Sequence, residues 1–197
     1  MGWIATVPPE EAEGELREVY RAIGAARGGV VDIHQVQSLN PRALRAHLDL
    51  YKTVMFQHGA LSRIQRERIA VVVSAANSCD YCVAHHGEAL RQVGDDPALV
   101  TALGRGELPP DLPAADLSLL LWARRAALEP AAASEADVRA LRDAGLDDRA
   151  VLDAVLVVAY FSFVNRIALL LGIQVEQGFE ATCGPLPHRN GSIEEQS

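Results

Sequence analysis

Cys79, Cys82 and His86 share one short run, S-C-D-Y-C-V-A-H-H, from Ser78 to His86. Thiols at C-x-x-C spacing can close a disulfide within one turn, and a histidine one turn beyond can accept or return their protons. On a helix these positions are three, four and seven residues apart, so all three lie on one face. Asn77 and Ser78 break the preceding element and put Cys79 in the first turn of the next. There, unpaired backbone N–H groups and the helix dipole stabilise a thiolate. His85 points about 100° away and is the weaker candidate.

Other chemistries share the C-x-x-C. A c-type haem site needs histidine directly after the second cysteine, and that position is Val83. An iron–sulfur cluster usually needs four cysteines, and only Cys183 remains. A zinc ion on Cys79, Cys82 and His86 would need Cys183 or His188 as its fourth ligand. That is an awkward tetrahedron, with three ligands on one short helix and the fourth in the tail. Redox chemistry is the best local reading, with zinc or an inert core pair as alternatives.

Glu67, twelve positions before Cys79, shares a helix face with the apolar Ile64, Ala70 and Val71. If buried there, its pKa should rise and make it a proton acceptor near neutral pH. On periodicity alone a solvent-facing glutamate between Arg66 and Arg68 fits somewhat better.

The elements that must hold these residues are all helical. Apolar-polar alternation is absent and helical start and stop signals recur. Helices are expected at about Glu10 to Ala26, from the Asn40-Pro41 cap to Gln57, and from the Ser62/Gln65 capping box to Ala76. Further helices are expected from Cys79 to Val93, from Pro97 to Gly104, and over Ala114 to Leu128, Ser134 to Ala144 and Asp148 to Leu171. The last is apolar on nearly every face, which predicts burial all round, either inside the domain or between subunits. A homo-oligomer is favoured, with a monomer built around this helix as the alternative. Trp122 and Tyr160 read as core residues that can line a pocket. Asn165 and Arg166 read as a buried structural pair. His34, His47, His58 and His188 lack companion spacing.

The 197 residues carry a formal charge of −8, with 49% hydrophobic and 5% aromatic residues. This suits one domain, residues 1–180, with a tail from 181 to 197 expected to be mobile. The acidic balance argues against nucleic acid or an anionic membrane as partner. The apolar run from Ala154 to Val164 is shorter than the ~20 residues of a membrane span. The N-terminus lacks the pattern of a signal peptide. Three cysteines are too few for a secreted disulfide scaffold, so a cytoplasmic location is expected.

The pattern E-x11-C-x-x-C-x-x-x-H on Glu67, Cys79, Cys82 and His86 resembles the alkylhydroperoxidase D family of the carboxymuconolactone decarboxylase-like superfamily. The context L-S-R-x-x-x-E-x-I-A-V-V-V-S-A-A-N-x-C-x-Y-C-V-A-H-H is similar to its branch of peroxidase-related enzymes. L-R-E-V-Y at Leu16, V-Q-S-L-N-P-R-A-L at Val36 and V-N-R-I-A at Val164 extend the likeness over most of the chain. The resemblance implies an all-α bundle with the C-x-x-C at the N-terminus of a central helix. It also implies a homo-oligomer and a hydroperoxide reductase without haem, flavin or metal, reset by an external thiol or dithiol reductant. By the same resemblance Cys82 is the peroxidatic thiol, Cys79 the resolving thiol, and His86 with Glu67 the proton relay. Some relatives have histidine just before the second cysteine; here it is Tyr81, so that role is not carried over. A redox sensor or partner-binding protein switched by the same cysteines is the alternative, and a decarboxylase-type lyase fits an intact C-x-x-C less well.

Overall fold

The computed structural model describes residues 2–182, which form nine α-helices, three short 3₁₀ turns and no strand. The tail expected to be mobile lies almost wholly outside these residues, as do Cys183 and His188. The helices are α1 (Gly14–Arg27), α2 (Asp32–Gln35), α3 (Pro41–Phe56), α4 (Arg63–Ala76), α5 (Asp80–Gln92), α6 (Pro97–Gly104), α7 (Ala114–Leu128), α8 (Glu135–Asp143) and α9 (Asp148–Leu170).

Their starts follow from side chains that satisfy otherwise unpaired N–H groups. Asn40 Oδ1 accepts from Ala43 N at 3.1 Å, ahead of Pro41 in the first turn of α3. Ser62 and Gln65 form the reciprocal capping box of α4, at 3.1 and 3.0 Å. Asp147 Oδ1 accepts from Ala150 N at 2.7 Å and opens α9.

Two elements differ from the sequence expectation. Glu10 and Glu11 lie in a 3₁₀ turn, and α1 begins only at Gly14. The chain is extended at the buried Ala12, whose carbonyl accepts from Arg17 Nε at 2.7 Å instead of continuing a helix. The four-residue α2 is too short for periodicity to register.

The helix surrounded on all sides is α4 rather than α9. Helices α3, α5, α6, α7 and α9 all pack on it, and Ile69, Ala70, Val71 and Val73 are wholly buried. Its length and small side chains let neighbours approach closely on every face. A second, smaller cluster joins Leu16, Val19, Tyr20 and Ile23 of α1 to Leu44 and Leu48 of α3.

Helix α9 is long and apolar enough to cross a membrane by length and composition, because it extends well beyond Ala154 to Val164. Here one face is the bundle's wall: Ala154, Val157 and Phe161 are wholly buried. The opposite face, with Leu152, Leu156, Phe163 and Leu170, is exposed. The expected buried Asn-Arg pair is half right: Asn165 is buried against Ser74 Oγ, whereas Arg166 is exposed and bonds Ser162 O.

Two arginines of α4 tie the layers together. Arg66 is buried, donates to Val54 O and Leu61 O, and pairs with the equally buried Asp153 of α9 at 2.9 Å. Arg68 grips Asp95 through two nitrogens, each at 2.7 Å, and reaches Asp116 of α7 at 2.8 Å. These carboxylates raise the Arg68 pKa: the hydrogen bonds and charges of Asp95 and Asp116 outweigh its partial desolvation.

Candidate functional site

The break between α4 and α5 sets the first cysteine. Ser78 adopts φ 57°, the left-handed region that a non-glycine residue rarely occupies. The turn brings Cys79 N onto Ser74 O at 2.9 Å, and Cys79 becomes the N-cap of α5. Cys82 follows within the first turn. Both thiols are buried and reduced.

The two sulfurs are electrostatically unequal. The Cys82 S–H donates to Cys79, and the Cys82 backbone N–H adds a second donor, so the Cys79 pKa falls below the ordinary thiol value despite burial. The same hydrogen bond, with desolvation and the charge of Cys79, pushes Cys82 well above it. Of the two sulfurs Cys79 is therefore the more readily ionised, the order that its place at the helix N-terminus also favours.

Glu67 is wholly buried on α4, which removes the surface reading. Its Oε2 accepts from His86 Nδ1 at 2.7 Å, and its Oε1 accepts from Arg63 Nη2. Arg63 lies over the Phe56 ring, 3.8 Å from its centroid. The expected rise in the Glu67 pKa is not found. Burial is the largest single influence and raises it, but the charges and hydrogen bonds of His86 and Arg63 together outweigh burial and lower it. Glu67 is thus a fixed carboxylate near neutral pH. It holds a proton on His86 Nδ1 rather than taking the proton itself.

Cys82 and His86 face a small cavity with about 40 Å³ of space for the centres of water-sized molecules. Its wall also carries His85 of α5, His34 of α2, His47 and Tyr51 of α3, and Tyr160 of α9. Cys79 and Glu67 are joined to it through Cys82 and His86 rather than lining it themselves. The phenyl ring of Phe161 meets His86 edge-on at 4.5 Å and fixes the imidazole plane.

His85, the weaker candidate by helical geometry, nonetheless reaches the same cavity. Its Nε2 is 2.9 Å from Glu176 Oε2, and its ring packs on Tyr81 and Phe179. Glu176 Oε1 also accepts from Tyr81 Oη at 2.9 Å and Asp32 N at 2.6 Å. The segment after α9 is thereby latched beside the site. Desolvation works against the Glu176 charge, yet its bonds to His85 and Asp32 N bring its pKa down to about 2. Burial, with the Glu176 charge, pushes the Tyr81 hydroxyl up.

Sequence spacing therefore found four residues that the fold brings together: Cys79, Cys82, His86 and Glu67. It did not find His34, His47, Tyr51 or Glu176. Arg63 had a readable signal, since it stands one helical turn before Glu67. The others come from distant elements and have none. Among the described residues no group of three or more side chains is arranged to hold a metal ion.

Residues 41–125 match the carboxymuconolactone decarboxylase family model. The chain is 28% identical to an uncharacterized peroxidase-related protein of Silicibacter sp. TM1040, covering 91% of this chain and 92% of that one, with a TM-score of 0.76. It is 25% identical to an uncharacterized peroxidase-related protein of Ralstonia eutropha JMP134 with an alkylhydroperoxidase AhpD core, covering 94% and 97%, with a TM-score of 0.83. The debrominase Bmp8, solved with 2,3,4-tribromopyrrole, shares the fold at 20% identity, covering 92% and 97%, with a TM-score of 0.73. Among curated proteins none matches. A family of this kind supports a peroxidase-related or decarboxylase-like enzyme. With an all-helical bundle matched over nearly its whole length and the family model matched across α3 to α7, the likeness supports a place for the chain among the alkylhydroperoxidase D-like proteins of the carboxymuconolactone decarboxylase-like superfamily.

Proposed function

We propose that the protein is a thiol-dependent hydroperoxide reductase in which Cys82 attacks, Cys79 resolves, and His86 with Glu67 manages the proton. One observation carries the reading: Cys82 lines the cavity, whereas Cys79, hydrogen-bonded to it, does not. The more acidic thiol is thus the one away from the substrate's place. The pair shares one proton, and its shift from Cys82 to Cys79 creates the nucleophile. The Cys82 thiolate takes the terminal oxygen of ROOH, breaking the O–O bond and becoming a sulfenic acid. The leaving RO⁻ departs as ROH, and the proton it carries away is drawn, in net, from the store at His86. Cys79 S–H then condenses with the sulfenic acid, forming the disulfide and water. An external dithiol protein reduces the disulfide by exchange, a cycle that suits the reducing cytoplasm.

The test is steady-state turnover of tert-butyl hydroperoxide with a small dithiol, combined with dimedone trapping. Cys82→Ser is expected to abolish turnover, and Cys79→Ser to accumulate a trappable sulfenic acid at Cys82. Trapping at Cys79 in the Cys82→Ser protein instead would reverse the order. A single oxidation with a change of assembly and no turnover would identify a redox sensor.

The assembly we propose is a homo-oligomer joined through α9. Leu152, Leu156, Ala159, Phe163 and Leu170 are exposed on one stripe of this helix. Together with Arg166 their positions alternate four and three apart, the spacing of a seam between two helices. The same stripe on a second copy is its natural partner. By light scattering the protein is expected to be larger than a monomer and Leu156→Glu to be monomeric. An unchanged mass for the variant would move the interface elsewhere.

A further inference from the structure

The wall of the cavity carries a second hydrogen-bonded chain, distinct from Glu67 and His86. Tyr160 Oη on α9 lies 2.7 Å from His47 Nε2 on α3, and both groups are buried. His47 Nδ1 in turn lies 2.9 Å from Gln37 Nε2 and 3.0 Å from Gln37 Oε1. Gln37 Nε2 also donates to Ile33 O at 2.7 Å, which fixes the orientation of its amide. The amide therefore offers His47 a donor and an acceptor at nearly equal distance. Either neutral tautomer of His47 keeps a partner at Nδ1. In the tautomer that carries its proton on Nε2, His47 donates to Tyr160 Oη, and the phenol hydrogen is directed elsewhere.

The cavity holds ~3 waters at the space one water needs. Cys82 and Tyr160 both line this small cavity, so a peroxide in contact with Cys82 lies within reach of Tyr160. We propose that Tyr160, set by His47 and Gln37, donates its proton to the oxygen that leaves the peroxide. This rests on the thiol peroxidase reading and adds a catalytic acid to it, with His47 and Gln37 as positioning residues.

The step balances. Cys82 sulfur bonds to the terminal oxygen of ROOH as the O–O bond breaks, and sulfur is oxidised while the peroxide is reduced. The leaving RO⁻ accepts the Tyr160 proton and becomes ROH. The tyrosinate, hydrogen-bonded by His47 Nε2–H, is reprotonated through cavity water by the proton that His86 stored. A phenol with a reference pKa of ~10 is a far stronger acid than the alcohol formed, so transfer to an alkoxide is downhill.

Leaving-group dependence tests this. An alkyl hydroperoxide expels a basic alkoxide, whereas peracetic acid expels acetate, which needs no acid. Tyr160→Phe is expected to lower kcat/KM for tert-butyl hydroperoxide on the order of 10²-fold and to leave peracetic acid nearly unchanged. Site-specific 3-fluorotyrosine at position 160 keeps the ring and lowers the phenol pKa. It is expected to move the alkaline limb of the tert-butyl hydroperoxide profile to lower pH, and it serves if the phenylalanine variant does not fold. Equal losses on both oxidants, or an unmoved alkaline limb, would overturn the role of Tyr160. A wild-type protein that reduces neither oxidant removes the peroxidase reading itself, and the role of Tyr160 with it.

Discussion

Glu67→Gln is expected to lower kcat/KM for a hydroperoxide by about 10²–10⁴-fold, the range typical of lost general acid–base catalysis. The side chain changes little in size, so packing in the centre of α4 is kept. What changes is charge and acceptor count. The carboxylate accepts from His86 Nδ1 through one oxygen and from Arg63 through the other. An amide has one acceptor and one donor, so one of the two partners must face an N–H group. Leaving such a buried donor unmet costs about 1–3 kcal/mol, and His86 loses the anion that holds its Nδ1 proton. The Glu67 pKa is lowered in the fold, so its stabilising pairing is fully present above the ordinary carboxylate range and is lost as pH falls below it. The wild type should therefore show an acid-side loss of stability that Glu67→Gln lacks. Stopped-flow oxidation of Cys82 and acid unfolding curves measure the two effects. A variant with wild-type oxidation rates would remove Glu67 from the mechanism.

Asp153→Ala is expected to destabilise the protein by about 3–5 kcal/mol, the usual cost of breaking one half of a buried ion pair. Asp153 and Arg66 are both about 1% exposed, so water cannot replace the missing carboxylate. Asp153 also accepts from Arg149 Nε at 2.9 Å. Arg66 cannot retreat, because its guanidinium also serves Val54 O and Leu61 O. The turn at Gly59 seals the pair: a Cβ there would come within 2.4 Å of Asp153 Oδ2 and 2.5 Å of Arg66 Nη2. The predicted loss is on the order of 10 °C in Tm for a chain of this size, read by calorimetry. A change below about 1 kcal/mol would mean that the site collapses or hydrates more easily than its burial implies.

Helix existence was legible because its signals are local. The caps at Asn40, Ser62 and Asp147 sit where side-chain spacing put them. The break at Asn77-Ser78 separates α4 from α5 as its residue types require. The first helix was misjudged because its start depends on where Ala12 packs and on Arg17 reaching back to its carbonyl. Neither is visible in a window of sequence. Within one chain the helix packed on every side is α4, which leaves the exposed face of α9 to the subunit alternative. Hydrophobicity on every face marks α9, but α4 hides an arginine and a glutamate by pairing them, so its composition understates its burial.

The sequence by itself determined that Cys79, Cys82 and His86 share a face, because one helix fixes their separations. It also determined that Cys79 heads that helix, the position that favours its ionisation. Only the tertiary structure decided the rest. It buried Glu67 between Arg63 and His86 and so reversed the sign of its expected pKa shift. It placed Cys82 at the cavity, and it brought His47 and Tyr160 from α3 and α9 to the same cavity. The physical reason is the range of the forces. Helical periodicity and capping act over a few residues, whereas burial, charge pairing and cavity shape depend on which helices meet, and that is set by packing across the whole bundle.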